Sequence, residues 1–409
     1  MTRRIVVTGM GALSPLGLNW EQARETLQNK RSCVKFQEGW DQLDGLQTRL
    51  GAALPSFEWP KNYTRKRTRT MGRVSMLATL ATEQALGDAG LLEKGKVNVD
   101  CGIAYGSTSG SPPSIQHYAD RITVNKTLDG VTPSEYVKFM SHTALANLSQ
   151  FFGIKGRPIS TCSACTSSSQ AIGLAYETIK YGKQDVMVAG GSEELHVLGA
   201  VVFDIMYATS TRNQEPELTP RPFDAGRDGL VVGEGAGTLV LESLEHARAR
   251  GAHIYAELLG FATNCDGSHI VSPSVQGMSR VMKLALEDAG VNPEEIGYIN
   301  AHGTATEVGD IAETGATSQI FGHQKPISSL KSYMGHTLGA CGAIEAWASI
   351  HMMNEGWMAP TINLEKIDER CAPLDYVRQC REARLDIVMS NNFAFGGVNT
   401  SLIFKRWQL

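Results

Sequence analysis

The chain has 409 residues, 42% hydrophobic and 20% charged. That is too long for one small domain at about 150 residues each, and its composition is that of a folded globular protein rather than a disordered, collagen-like or disulfide-stapled one. Lys and Arg number 38 against 42 Asp and Glu, a net charge of -4; the overall basic footprint of a nucleic-acid binder is missing, and any basic docking surface must be local. No run of about 18 apolar residues is present to span a bilayer, and the opening MTRRIVVTGMGALSPLG lacks the apolar stretch and cleavage site of a secretory signal. The expected location is the cytoplasm. The eight cysteines (Cys33, Cys101, Cys162, Cys165, Cys265, Cys341, Cys371, Cys380) are irregularly spaced, unlike a disulfide framework, and are expected to be reduced and mostly buried.

In chain order, strand-like RRIVVTG is followed by helical EQARETLQ, a second helix through MLATLATEQALGDAG, and a strand in VDCGIAYGS. This alternation predicts an α/β fold with a mostly parallel sheet. The 42 glycines crowd into turns beside strands, where backbones approach each other or a ligand. An internal echo adds more: Ala85-Leu86-x-Asp88-Ala89-Gly90 recurs as Ala285-Leu286-x-Asp288-Ala289-Gly290, each copy ending a helix and leading to a strand with a Gly-containing loop, GIAYGSTSG and GYINAHGTAT. KQDVMVAGGSEE and ARLDIVMSNNFAFGG extend the match at nearly the same offset. The order predicts a duplication, with similar halves over residues 1–250 and 251–409. Residues 108–140 and 196–225 lack clean strand periodicity and read as irregular insertions in the first half, of the kind that line a site or an interface.

The strongest local signal is ISTCSACTSSSQAIGLAYETIKYG. Ala171, Ile172, Leu174, Ala175 and Ile179 fall at helical spacing, ending at Gly182, and Thr166 to Ser168 offer capping hydroxyls. Cys165 therefore stands at or just before a helix N-terminus, whose free N–H groups and dipole favour a thiolate and make it a candidate nucleophile. Cys162 completes a C-x-x-C, but no second pair at zinc spacing and no thioredoxin-like surround accompany it. A thiolate acting on a carbonyl needs proton handling and charge stabilisation. His302, in YINAHGTATEVGD, and His336, in SSLKSYMGHTLGACGAIEA, stand in Gly- and Thr-rich loops after strands, where α/β sheets bind ligands. Lys331 and Glu345 flank His336 and are placed to pair, and SNNFAFGGVN supplies backbone N–H groups suited to an oxyanion. YTRKRTRTMGR sets Arg65, Lys66, Arg67, Arg69 and Arg73 within nine residues, a local basic cluster that suits an acidic partner protein.

Together, the sequence around Cys165, N-A-H-G-T-x-T at His302, K-S-x-x-G-H-x-L-G-A at His336 and FAFGGVN at Phe395, with VVTGMGALSPLG, STRN and RPFDAGRDGLVVGEGAG, resemble the elongating β-ketoacyl-acyl-carrier-protein synthases nearly end to end. The resemblance implies a thiolase fold, with duplicated βαβαβαββ halves in a five-layered α-β-α-β-α sandwich, and a dimer. The dimer is a homodimer, or else a heterodimer with a related subunit. It implies decarboxylative condensation of an acyl group on Cys165 with malonyl-acyl carrier protein, His302 and His336 holding the enolate oxygen and Lys331 supporting them. Glu345, Glu313 and Asp310 would stand behind these residues. Thr304 and Thr306 would touch the pantetheine arm, and Ser109 and Phe203 the acyl substrate. The N–H groups of Cys165 and Phe395 would form the oxyanion hole, and Phe395 would also be the gate. Lys66 and Arg69, with Arg65 and Arg67, would dock the carrier. The resemblance implies no metal or organic cofactor beyond the phosphopantetheine that arrives on the carrier, a structural cation near Glu313 and Glu345 being a family trait left outside that expectation.

This chain departs from the family's pattern at Ala394, where Gly is usual, at Val398, at Glu307, at Gly267-Ser268 before His269, and at Ser109 beside Pro112-Pro113. Losing a glycine at Ala394 restricts φ and ψ and predicts altered gate motion. The changes bear on which acyl group is used, with a polyketide-like or polyene chain among the options. Other classes fit less well. A dinucleotide fingerprint in VVTGMGALSPLG fails at Ser14, and no G-x-S-x-G elbow occurs. Thiolases use a second cysteine, and initiating synthases an Asn, where one of the two histidines stands. The remaining alternative is a non-condensing partner subunit of the chain-length-factor kind; such subunits typically lack the nucleophile that Cys165 supplies.

Overall fold

Nine consecutive buried residues, IVVTGMGAL, form strand β1 (Ile5–Leu13) in the computed structural model, which describes residues 2–408. After it come α1 (Arg73–Asp88), β2 (Gly102–Gly106), α2 (Thr143–Phe152), β3 (Pro158–Thr161), α3 (Ser167–Lys180), β4 (Val186–Glu193), α4 (Val197–Asp204) and β5 (Gly235–Ser243). The second half supplies β6 (Ala256–Cys265), α5 (Val275–Ala289), β7 (Tyr298–Asn300), α6 (Glu307–Phe321), β8 (Pro326–Ser328), α7 (Cys341–Glu355), β9 (Asp375–Tyr376), β10 (Ile387–Phe393) and β11 (Val398–Arg406). With α4 and the short β9 set aside, both halves read βαβαβαββ.

The strands join in the order β9-β8-β7-β10-β11-β6-β1-β5-β4-β2-β3. In the first half β3, β2 and β4 are parallel, and β5 and β1 follow antiparallel; in the second, β8, β7 and β10 are parallel, and β11 and β6 antiparallel. The halves meet where Ile5–Val7 pair with Ala256–Leu258. Helix α1, with α2 beside it, covers the strands of the first half, and α5, with α6 beside it, those of the second. Between them α3 and α7 pack on each other and on strands of both halves. In α7 every residue from Cys341 to Ile350 is buried, as a helix covered on all sides requires. This is the five-layered thiolase-like arrangement.

The repeated Ala-Leu-x-Asp-Ala-Gly is explained by one contact made twice. A Cβ on Gly9 would lie 2.3 Å from the Ala85 carbonyl and 2.6 Å from the Ala89 methyl, and one on Gly260 would lie 2.7 Å from both the Ala285 carbonyl and the Ala289 methyl. Only glycine lets helix and strand approach so closely, and both glycines lie where the strand pairing shifts register. The aspartates lock the contact, Asp88 accepting from the Met10 N–H at 2.9 Å and Asp288 from the Phe261 N–H at 3.2 Å.

The two segments read as irregular insertions are partly helical. Pro112–Ala119 and Pro133–Phe139 are helices, each with proline in its first turn, where the missing N–H costs nothing and the fixed φ suits the helix. Residues 197–204 form α4. Its all-round apolar sequence, VLGAVVFD, hid the helical period.

Candidate active site

Three loops at the carboxyl ends of parallel strands converge. The β3–α3 loop passes through Ala164, at φ +48°, into a 3-10 turn, Ala164–Thr166, that delivers Cys165 in front of α3. The β7–α6 loop carries His302, and the segment between β8 and α7 carries His336. The Cys165 Sγ and a ring nitrogen of each histidine lie within 4.8 Å of one another, and the rings sit at right angles, centroids 5.1 Å apart. All three residues are buried. Among the described residues Nδ1 of His302 and both ring nitrogens of His336 lack hydrogen-bond partners, a cost that an incoming polar atom would relieve.

The expectation of a resting thiolate is corrected. Burial pushes the Cys165 thiol up to about 12, against the opposing pull of the Lys331 ammonium and the N–H groups of Phe395 and Cys165. Desolvation outweighs the helix start, so the proton must leave as the thiol reacts. The hydroxyls expected to cap α3 turn elsewhere: Thr166 Oγ donates to the Ser163 carbonyl at 2.7 Å, Ser167 Oγ to the Ala164 carbonyl at 2.7 Å, and Ser168 Oγ accepts from the Ala343 N–H of α7 at 3.0 Å. Burial, reinforced by Lys331, holds both imidazoles well below their ordinary 6.5, hence neutral. Burial alone would lower Lys331, but the adjoining Glu345 carboxylate overrides it and keeps the ammonium charged.

Lys331 donates to Glu345, whose other oxygen accepts from Asn392 Nδ2 at 2.8 Å. Glu313 grips its own loop, accepting from the N–H groups of His302 at 2.7 Å and Gly303 at 2.6 Å. Asp310 accepts from Ala305 at 3.1 Å and Phe223 at 2.7 Å. The carboxylates of Glu313 and Glu345 are thus occupied by partners of the chain itself. The Cys165, His302 and His336 donors are close enough for a soft metal; among the described residues no acceptor stands behind His336 of the kind that orients most metal-bound imidazoles.

A cavity of about 380 Å3 runs to Cys165 past His302 and His336, with Phe203, Thr304, Thr306 and Phe395 in its wall. Thr304 and Thr306 bond to each other at 2.9 Å. Phe395 packs on Phe203, centroids 5.2 Å apart, and presents its N–H to Cys165. Ser109 is exposed in the single chain and is not in the wall of this cavity; the preceding Thr108 N–H is held by Glu193 at 3.0 Å. Ala394 sits where no glycine conformation is required: its φ is not positive, and Gly396 and Gly397, at +84° and +71°, carry the left-handed turn.

In the basic cluster Arg65, Lys66 and Arg69 are exposed. Arg67 stacks 3.7 Å over the Phe151 ring, and Arg73 is held by Glu234 at 2.7 and 2.8 Å. Charge spacing in the sequence counted both with the basic cluster, and Arg67 with the docking set; their internal partners lie far along the chain. Sequence reasoning also missed Glu193, which joins the halves by accepting from Thr108 and, at 3.1 Å, from Gly339, and Arg227, which reaches the Thr306 and Glu307 carbonyls and Asp368. An acidic residue ending a strand of otherwise apolar and small residues, VMVAGGSE, was the available signal for Glu193.

Comparisons with known proteins agree with this geometry. The models for the N-terminal and C-terminal domains of the β-ketoacyl synthases match residues 2–247 and 255–365. The 3-oxoacyl-[acyl-carrier-protein] synthase 1 of Escherichia coli strain K12 is 40% identical over 407 residues, 99% of each chain. The crystal structure of a β-ketoacyl synthase from Burkholderia phymatum STM815 superposes with a TM-score of 0.97 at 54% identity, covering 99% of this chain and 100% of that one. A ketosynthase (ApeO) in complex with its chain length factor (ApeC), from Xenorhabdus doucetiae, gives 0.85 at 27% identity over 99% and 98%. Two contiguous family matches, full-length identity and the convergence of Cys165, His302 and His336 make this chain a member of the β-ketoacyl synthase family.

Proposed function

We propose that the chain is a 3-oxoacyl-[acyl-carrier-protein] synthase that lengthens an acyl chain by decarboxylative condensation. The observation that carries this reading is the meeting of one buried thiol with two neutral, unpartnered imidazoles at the end of an apolar-walled cavity. Cys165 Sγ attacks the carbonyl carbon of an acyl thioester, with the N–H groups of Cys165 and Phe395 receiving the oxyanion. The carrier's thiolate leaves and takes up the proton that Cys165 loses. A malonyl thioester then enters. Its bond to the carboxylate breaks, CO2 departs, and the electron pair forms an enolate whose oxygen accepts hydrogen bonds from His302 and His336. Neutral imidazoles suit this role, since each keeps one N–H to donate, and each donor of this kind is worth about 3–4 kcal/mol. The carbanion attacks the acyl carbon, the thioester to Cys165 breaks with its electron pair staying on Sγ, the thiolate takes a proton from water to restore the resting thiol, and the 3-oxoacyl-carrier leaves.

Lys331, held charged by Glu345, adds positive potential beside the enolate. Thr304 and Thr306 line the way in for the carrier's phosphopantetheine, the one prosthetic group the reaction calls for. Exposed Arg65, Lys66 and Arg69 suit an acidic acyl carrier protein. The enzyme works in the cytoplasm as a dimer, and the partner is a second copy in this reading. Possession of the nucleophile weighs against a non-condensing partner subunit.

The test is intact-mass analysis of wild type and Cys165→Ala with short, long and unsaturated or aromatic acyl-carrier thioesters, followed by malonyl-carrier. Wild type alone is expected to gain the acyl mass, then lose it as a product two carbons longer. No adduct with any donor would overturn the condensing role in favour of the partner-subunit reading.

A further inference from the structure

A second buried thiol stands directly behind the nucleophile. Cys341, the first residue of α7, is fully buried, and its Sγ donates to the backbone carbonyl of Cys165 at 3.2 Å. The same sulfur accepts from Asn392 Nδ2 at 3.5 Å, and that amide also donates to Glu345 at 2.8 Å. Glu345 in turn receives Lys331. One continuous line therefore runs from the charged pair of the second half, through Asn392 and Cys341, to the main chain of the nucleophile in the first. The surroundings leave little slack: a Cβ on Gly342 would lie 2.6 Å from Asn392 Oδ1 and 2.7 Å from the Ser169 Cβ, and Ala343 N–H is held by Ser168 Oγ.

The nucleophile needs such support. It follows Ala164, a non-glycine residue at φ +48°, a conformation that an L-residue leaves unless its neighbours hold it. Ser167 Oγ fixes the carbonyl before Cys165, donating to Ala164 at 2.7 Å, and Cys341 fixes the carbonyl of Cys165 itself. We propose that Cys341 is a positioning residue: by hydrogen-bonding the Cys165 carbonyl it holds the strained turn that aims the nucleophilic thiol, and so sets the rate of acyl uptake. Its own thiol takes no acyl group. The proposal rests on the reading of Cys165 as nucleophile.

The experiment compares wild type, Cys341→Ala and Cys341→Ser as full-length protein. The readouts are the single-turnover rate of Cys165 acylation by an acyl-carrier thioester, CO2 release from malonyl-carrier, and the rate at which iodoacetamide alkylates Cys165, located by peptide mass. A hydrogen bond of ordinary strength predicts about five-fold slower acylation and alkylation in Cys341→Ala. The rate of CO2 release should not change. Serine keeps a donor at the same place, so Cys341→Ser should recover most of the loss, which a packing role for sulfur would not produce. Equal rates in all three proteins, a deficit in serine as large as in alanine, or a parallel fall in CO2 release would overturn the proposal. Alkylation needs no substrate, so it reads the turn even if no acyl-carrier thioester loads the wild type, the outcome that would defeat the condensing role instead.

Discussion

At the start of α3 and at the start of α7 the backbone makes the same move. A non-glycine residue turns left-handed, Ala164 at φ +48° and Leu338 at φ +46°, a 3-10 turn follows, and the helix begins three residues on, at Ser167 and at Cys341. In the first half the residue after the turn's strained position is Cys165; in the second it is Gly339, whose N–H is spent on Glu193. Each half also buries a carboxylate against two loop N–H groups, Glu313 within its own half and Glu193 across the seam to Gly339. Duplication thus provides two equivalent scaffolds, one furnished with the buried Cys165 thiol and the other with the imidazoles and the charged lysine. Neither half holds a complete set.

The largest break in that division is expected from His302→Ala. Removing one donor to developing charge lowers condensation by about 10²–10³-fold, while acyl uptake on Cys165 should stay close to wild type. Paired assays of adduct mass and CO2 release separate the steps; a variant that loses acyl uptake as severely as CO2 release would show that the halves do not divide the chemistry this way.

The buried carboxylates give a gentler test. Burial raises Glu313 from its ordinary 4.5 to about 8, opposed by the N–H groups it accepts. A carboxyl raised in the folded state binds its proton more tightly there than in the unfolded chain, so its contribution to stability is full below pH 4.5 and is lost as pH rises through about 8. Above pH 6.5, where the buried neutral imidazoles no longer add a rise of their own, and up to about 8, urea unfolding should show stability falling with pH, and Glu313→Gln, which cannot ionise, should flatten the fall. Glu193, raised by burial to about 7, adds a similar slope from the first half over a window that closes earlier, near 7. An unchanged pH profile in Glu313→Gln would assign the slope to other groups.

How much of this could be read in the sequence depends on the range of the interactions. The βαβ alternation, the duplication and the loops bearing Cys165, His302 and His336 were legible because strand and helix periods and the Ala-Leu-x-Asp-Ala-Gly echo are local, and the echo turned out to be a glycine contact made twice. The pairing of Lys331 with Glu345 was legible from flanking positions. The state of Cys165 was not, because a helix start is visible in sequence whereas the desolvation that overrides it comes from burial at a place where residues as distant as His302 and His336 are brought together. For the same reason Arg67 and Arg73 were counted with the exposed cluster: Phe151 and Glu234 lie far along the chain. Helix α4 was missed because Val197–Asp204 is apolar on every side and shows no period. Ser109 was placed in the cavity by likeness, and in the single chain it stands outside the wall of that cavity.

The smallest expected effect sharpens the comparison of the two turns. Ala164→Gly removes a left-handed strain of about 1–2 kcal/mol and adds about 0.5–1 kcal/mol of unfolded-state entropy, so stability should rise by no more than about 1.5 kcal/mol in urea unfolding. Leu338→Gly relieves similar strain but also empties a buried site packed with Phe203 and Leu230, at a cost of at least about 2–5 kcal/mol. The informative variant is the quieter one. In Ala164→Gly the chain after β3 gains freedom just where Cys165 must be aimed, so acyl uptake should slow although the fold is unharmed. Acylation at the wild-type rate in a protein of undiminished stability would mean that the left-handed residue is a relic of the shared scaffold, kept by both halves and needed by neither; slower uptake would mean that the first half retains its strain for Cys165.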